Sequence, residues 1–389
     1  MLTGGEVLIV SLDGIIAAIV PEAEAGQDVQ ELPGILCPGM VNAHCHIELS
    51  HMKGLIPEGT GLVEFVKQVI SKRELPRASD ATGSIYHEQY EHFLDEKMRA
   101  ITDAANELFE TGTVAVGDIC NTADSLELKR QSPLYWHNFI EVSGFVDALA
   151  IRRLAFSEDI LAAFTKARPQ GLPAGNSLSP HAPYSVSKTL FNLLNEKTAG
   201  QIVSVHNQET PDENNLFLSK TGGFLDLYKT LAIPSDGFAA TGLTSLQSWM
   251  PYFNRGQQVI AVHNTFTSEQ DLQAAAASSP APHYCICVNA NLYIEKALPP
   301  LPMLLQNNCS IVLGTDSYAS NQQLNMMAEI NTLRKHFNDV PLSSMLQWAT
   351  LNGAVALGID DRYGSFEKGK QPGLALVNKE SGTCRRVEL

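Results

Sequence analysis

The chain has 389 residues, 44% of them hydrophobic and 18% charged, so it can bury a large core and is not a disordered polymer. Its net charge of −15 and pI near 5.2 argue against a polyanionic partner such as nucleic acid, while leaving a small nucleoside or base open as substrate. No apolar run reaches the roughly 18 residues that a membrane-spanning helix needs, so no membrane partner is expected.

Residues 6–20 read as a β-hairpin, with EVLIVSL and IIAAIV joined at Asp13-Gly14 as a two-residue turn. The segment PGILCPGM at 33–40 is punctuated by Pro and Gly and leads into VNAHCH. From there strand-like and helix-like patterns alternate. The expected strands are 41–46, 113–119, 134–141, 175–181, 202–206, 258–263, 283–289 and 310–316. Helical spacing lies between them. GLVEFVKQVISKR puts Leu62, Phe65, Val66, Val69 and Ile70 on one face. A longer helix ends near Gly112, and Ser187 is placed to cap another. The C-terminus, GSFEKGKQPGLALVN, returns to turn and strand.

Eight β-then-α units predict an α/β chain with a distorted (β/α)8 TIM barrel. The β material at both termini predicts one small β-sandwich. The expected boundaries are 1–38 and 365–389 for the sandwich parts and 39–364 for the barrel. Seven cysteines, an odd number without scaffold spacing, read as buried thiols and point to a cytoplasmic setting.

His or Asp recurs where these strands end: His44 and His46, His181, His206, His263 and Asp316. In a barrel those ends meet on one face, where active sites sit. Side chains two apart on a strand share a face, so His44 and His46 can clasp one cation. Three imidazoles and a carboxylate suit one divalent metal, Zn²⁺ first and Fe²⁺ as the other candidate. Glu209 follows His206 by three residues, where an acid can shuttle protons for a hydrolase.

The order H-x-H, H-x-x-E, H, D-S-x-x-S-N, with LCPGMVNAHCH, SPHAPYSVS, VSVHNQET, VIAVHN, LGTDSYASN and GSFEKGK, resembles the amidohydrolase superfamily over roughly residues 30–375. More narrowly it is similar to the branch of nucleoside, adenosylhomocysteine and guanine deaminases together with triazine chlorohydrolases. The resemblance implies a barrel with a sandwich built from both termini. It implies His44, His46, His206 and Asp316 as metal ligands, with Asp316 also taking part in catalysis, and Glu209 as proton shuttle. His263 would hydrogen-bond the activated water or the substrate and steady the developing charge as a donor. His181 would contact substrate. Glu48 and Asn291 are further expected substrate contacts. No lysine follows the fourth strand, which implies one metal and not two. The family's C-P-x-S-N-L here reads Cys287-Val288-Asn289-Ala290-Asn291-Leu292, and its C-terminal Asp is absent from QPGLALV.

The implied activity is a metal-dependent aminohydrolase that releases ammonia from an aminated purine, nucleoside or related heterocycle. A chlorohydrolase or cyclic-amide hydrolase uses the same scaffold, and a non-catalytic barrel is the remote alternative. The local H-x-H-x-E-x-S run is similar to deaminases of aminodeoxyfutalosine, an adenine nucleoside. The segments 55–73 and 207–224, the latter read as a loop, are expected to shape the pocket. Self-association is left open.

Overall fold

The computed structural model describes residues 5–74, 84–167, 175–278 and 280–388. Residues 1–4 and 389, the outermost parts of the expected terminal segments, lie outside the described residues.

At the N-terminus β1 (Glu6–Val10) pairs antiparallel with β2 (Ile16–Pro21). The turn is longer than the two residues expected. Ser11 N–H donates to the Ile15 carbonyl, and Gly14 at φ +82° closes a five-residue loop. The Ser11 side chain also hydrogen-bonds Ile15, which draws Leu12 and Asp13 into the loop. Next comes β3 (Ile35–Pro38), which runs almost directly into β4 (Met40–Cys45).

The strands β5 (Thr113–Cys120), β6 (Tyr135–Val142) and β7 (Gly175–Pro180) add to β4 as one parallel sheet, in the order β4-β5-β6-β7. A second parallel sheet holds β8 (Ile202–Asn207), β9 (Gln258–His263), β10 (His283–Ile286) and β11 (Ser310–Leu313) in sequence order. The sheets meet along both edges. His206 N–H donates to the His181 carbonyl at 3.0 Å, joining β8 to the end of β7. Asp316 and Thr315 both donate to the His44 carbonyl at 3.1 and 3.0 Å, joining the end of β11 to β4. The eight strands thus form the distorted barrel that their number and spacing predict. Val41, Ala43, Ala115, Phe139, Ile260, Val262, Cys285 and Val312 fill its interior, while a second cluster packs the strands' other faces on the helices.

Gly314 permits the closure. A Cβ there would meet the His44 carbonyl oxygen at 2.8 Å, the His44 Cβ at 2.9 Å and the Cys285 Sγ at 3.0 Å. We expect Gly314→Ala to cost about 1–3 kcal/mol, because backbone must move to admit the methyl. Thermal unfolding measures it, and an unchanged midpoint would mean that the β4–β11 edge is slack.

The chain's far end supplies β12 (Leu374–Asn378) and β13 (Thr383–Arg386), which with β3 make an antiparallel sheet in the order β13-β12-β3. Ile16, Phe366, Leu374, Leu376 and Val387 bury one cluster between this sheet and the hairpin. Residues from the two ends of the chain therefore share one small core.

Three further expected elements differ, the first being the strand expected over 310–316, which ends at Leu313. The strand expected over 283–289 ends at Ile286, and Val288–Glu295 is a helix. That helix buries Val288, Ala290, Asn291, Tyr293 and Ile294, so its sequence is apolar on most sides and continues the strand's hydrophobic run without a visible change of period. The segment 207–224 is not a plain loop. It holds the helix Pro211–Ser219, with Pro at its first turn and Asp212 and Glu213 there to meet the helix dipole. No helix among the described residues is long and apolar enough to cross a membrane.

Candidate metal centre

Strand parity turns His206 inward, whereas on β4 a register shift between Asn42 and Cys45 frees His44 and His46 from the parity of Val41 and Ala43. On β8, Val203 and Val205 pack in the outer core, which leaves Ser204 and His206 facing the interior. On β9 the inward residues are Ile260 and Val262, so His263 has outward parity. Its backbone leaves the extended region at φ +73°, and its ring comes to stand 5.5 Å from the His206 ring. Asp316 has φ +56° and Gln208 φ +46°. Among the described residues, four of the eight non-glycine residues with positive φ are Gln208, His263, Asn264 and Asp316, so left-handed backbone gathers at the ends of β8, β9 and β11. Each such residue costs on the order of 1 kcal/mol or more and persists where the surroundings dictate it.

The side chains converge. His46 Nε2 lies 3.2 Å from His44 Nε2, 3.1 Å from His206 Nε2 and 3.5 Å from Asp316 Oδ1. His44 Nε2 is 3.5 Å from the same carboxylate oxygen. One ligand atom from each of His44, His206, His263 and Asp316 lies within 4.8 Å of every other. A tetrahedral shell with bonds of about 2.1 Å has edges of about 3.4 Å, so the His44, His46 and Asp316 spacings are those of donors around one shared cation.

Protonation fits the same reading. His206 Nδ1 donates to the His181 carbonyl at 2.8 Å, which leaves its Nε2 lone pair bare toward His46. Burial lowers His46 to about 3 and His263 to about 4, and drives His206 well below its usual value, so these rings are neutral at pH 7. Burial opposes ionisation of Asp316, but a hydrogen bond from His44, with the imidazoles around it, holds its carboxyl below the usual range. Neutral imidazole nitrogens and a carboxylate at such distances make a donor set that fits a divalent metal.

Glu209 is buried, with Oε2 3.5 Å from His263 Nε2. Burial raises its carboxyl well above the ordinary range, and the charges of Asp316, Glu213 and Glu295 add to that. Below it Glu213 accepts from Gln208 N–H at 2.9 Å and from Ser245 Oγ at 2.6 Å, fixing the turn that carries Glu209. Burial also lifts Glu213, to about 7.

Other expected site residues have different partners. Asn291 is fully buried and holds His263, accepting from Nδ1 at 2.9 Å and donating to its carbonyl at 3.5 Å. Its partner is that ring and not the open mouth. With the proton on Nδ1, neutral His263 offers an acceptor at Nε2, which reverses the expectation that it donates. The Glu48 carboxylate is taken by the loop after β5, through Asn121 N–H, Thr122 N–H at 3.1 Å and Thr122 Oγ1 at 2.8 Å. His181 is half-buried, 4.9 Å from the His206 ring, with Nδ1 2.7 Å from Ser185 Oγ.

Three supports escape a reading of the sequence. Ser320 Oγ donates to Asp316 Oδ2, four residues away in D-S-x-x-S, a spacing that could have pointed to it. The Asp118 carboxylate accepts Ile47 N–H at 2.8 Å just after the H-x-H pair, and buried Lys129 neutralises it. Glu329 ties Asn321 to Asn289, which stands in the altered C-P-x-S-N-L run, so the helix after β10 and the loop after β11 share one anchor. We expect Ser320→Ala to weaken metal binding by about 10- to 100-fold, the usual effect of losing a partner that orients a ligand. Competition with a chromogenic chelator reads this, and unaltered affinity would make the contact incidental.

The amidohydrolase family model matches residues 35–386. The chain belongs to the amidohydrolase family. A curated relative, 5'-deoxyadenosine deaminase of Methanococcus vannielii, is 26% identical over 382 residues, covering 92% of this chain and 79% of that protein. Among solved structures, Helicobacter pylori aminofutalosine deaminase is 22% identical with a TM-score of 0.78, covering 95% of this chain and 86% of that one. An adenosine deaminase from Xanthomonas campestris, solved with bound zinc, is 24% identical with a TM-score of 0.71 over 96% and 80%. As an amidohydrolase, the chain is a hydrolase of carbon–nitrogen bonds other than peptide bonds.

Proposed function

We propose that the chain is a metal-dependent deaminase of an aminated purine nucleoside or a closely related ring, with His44, His46, His206 and Asp316 holding one divalent ion, zinc before iron. The observation that carries this is Glu209: a buried acid 3.5 Å from His263, beside three converged imidazoles and a carboxylate at the mouth of an amidohydrolase barrel. The curated relative's name, which specifies deamination of an adenine nucleoside, supports the substrate class.

A divalent ion there lowers the pKa of water from 15.7 toward about 7 and so supplies a nucleophile at neutral pH. The protein's residues do the rest. Asp316, held by Ser320, orients and receives the water proton. His263 accepts a hydrogen bond from the attacking water at Nε2, with Asn291 fixing the ring. Glu209 gives its proton to the ring nitrogen beside the reacting carbon, then takes the second proton of the attacking oxygen and passes it to the leaving nitrogen, and the proton held by Asp316 restores Glu209. The carbon–nitrogen bond breaks, the water oxygen stays on the ring, and ammonia leaves.

The test is ammonia release by the metal-loaded chain over aminated purines, pyrimidines and their nucleosides. Turnover is expected on an adenine-type nucleoside. Chloride release from a chlorinated ring, with no ammonia from any aminated one, would replace the deaminase reading. The free thiols among the described cysteines accord with a cytoplasmic enzyme.

A further inference from the structure

One carboxylate at the barrel mouth has no task in this scheme. Glu141 lies near the C-terminal end of β6, two residues beyond Phe139, which fills the barrel interior. The same parity turns Glu141 inward, and it is half-buried. A carboxylate oxygen lies within 4.8 Å of a ring nitrogen of both His181 and His206. Among the described residues no side chain or N–H pairs with that carboxylate. The hydrogen bond from Ser157 Oγ at 2.9 Å goes to its main-chain carbonyl. His181 is engaged at Nδ1 by Ser185 and at its carbonyl by His206, which leaves Nε2 as its remaining polar atom. Tyr184, stacked 4.1 Å from Phe224, meets the His181 ring edge-on at 5.6 Å and walls this side with apolar surface.

An ionised carboxylate accepts hydrogen bonds and donates none. Half-dry and without a protein donor, it is satisfied by a ligand that brings donors. Adjacent hydroxyls match an acceptor-only group set beside an imidazole nitrogen, whereas a phosphate or carboxylate in the same place is repelled. We propose that Glu141, with His181, forms the subsite that takes the sugar hydroxyls of the substrate and so selects a ribonucleoside over its deoxygenated analogues. This rests on the nucleoside reading above.

The experiment compares an adenine ribonucleoside with its 2',3'-dideoxy analogue on the metal-loaded full chain and on Glu141→Ala and Glu141→Gln, each checked for wild-type metal content. Losing a charged hydrogen bond raises KM for the ribonucleoside by about 10- to 100-fold, with kcat moved far less. The loss on the ribonucleoside should exceed that on the dideoxy analogue by about 10-fold or more in Glu141→Ala, with Glu141→Gln between the two proteins. Equal losses on both substrates, or none, overturn the subsite. If the wild-type chain deaminates no nucleoside, the functional reading fails by itself. Calorimetric binding of the same pair then decides the subsite: a hydroxyl preference abolished by Glu141→Ala upholds it, and absence of that preference in the wild-type chain overturns it.

Discussion

Glu209→Gln should lower kcat by about 100- to 10,000-fold while the metal content stays at the wild-type level, the range seen when a positioned general acid is removed. The geometry separates the two effects. Glu209 stands 3.5 Å from His263, and its turn is held by Glu213 and not by the His44–His46–Asp316 cluster. Gln keeps the shape and cannot carry the proton. A second readout follows from linkage. The carboxyl is raised well above its usual range, by burial first. An acid whose folded pKa is raised subtracts stability as pH climbs from its unfolded value of about 4.3 toward the folded one, because only the unfolded chain ionises freely there. The neutral amide removes that penalty. Metal-free Glu209→Gln should therefore melt above the metal-free wild type at neutral pH, and the gap should close toward pH 4. Near-native kcat would remove Glu209 from the reaction.

His206→Ala should lose both metal and turnover. The ring is buried, neutral and fixed by the His181 carbonyl, and its bare nitrogen completes the set with His44, His46 and Asp316. Metal should fall from about one equivalent to a small fraction of it, and kcat/KM by roughly 1,000-fold or more, since water then keeps a pKa near 15.7. Stability gives an independent check. A ligand that binds only the folded state at 1,000 times its Kd contributes about 4 kcal/mol, so chelation should lower the melting temperature of the wild type and leave that of His206→Ala unmoved. A variant that retains one equivalent of metal would take His206 out of the shell.

Much of this was legible in the sequence, because a barrel strand announces itself by a short apolar run and its functional residue sits where the run stops. His44, His46 and His206 obey that rule, Asp316 lies three residues past its run, and Ser187 caps its helix as its position predicts, accepting from Leu190 N–H at 3.3 Å. The exceptions have physical causes. The helix Val288–Glu295 is buried on most sides, so no period marks where β10 ends. His263 reaches the site through a left-handed backbone that alternation does not encode. Asn291, Ser320, Glu213 and Lys129 act by contacts that only the closed barrel creates, and their residue types are as common in ordinary helices and turns. Glu141 lies in a strand end read correctly, yet its inward parity stands out only once Phe139 is seen to fill the interior.

One divalent ion is expected among His44, His46, His206 and Asp316. Crystals of the metal-loaded chain, measured on both sides of the zinc and iron absorption edges, test it most directly. A single anomalous peak is expected about 2.0–2.2 Å from the three imidazole nitrogens and the Asp316 carboxylate. A peak elsewhere, or no peak in a chain that still releases ammonia, would contradict it.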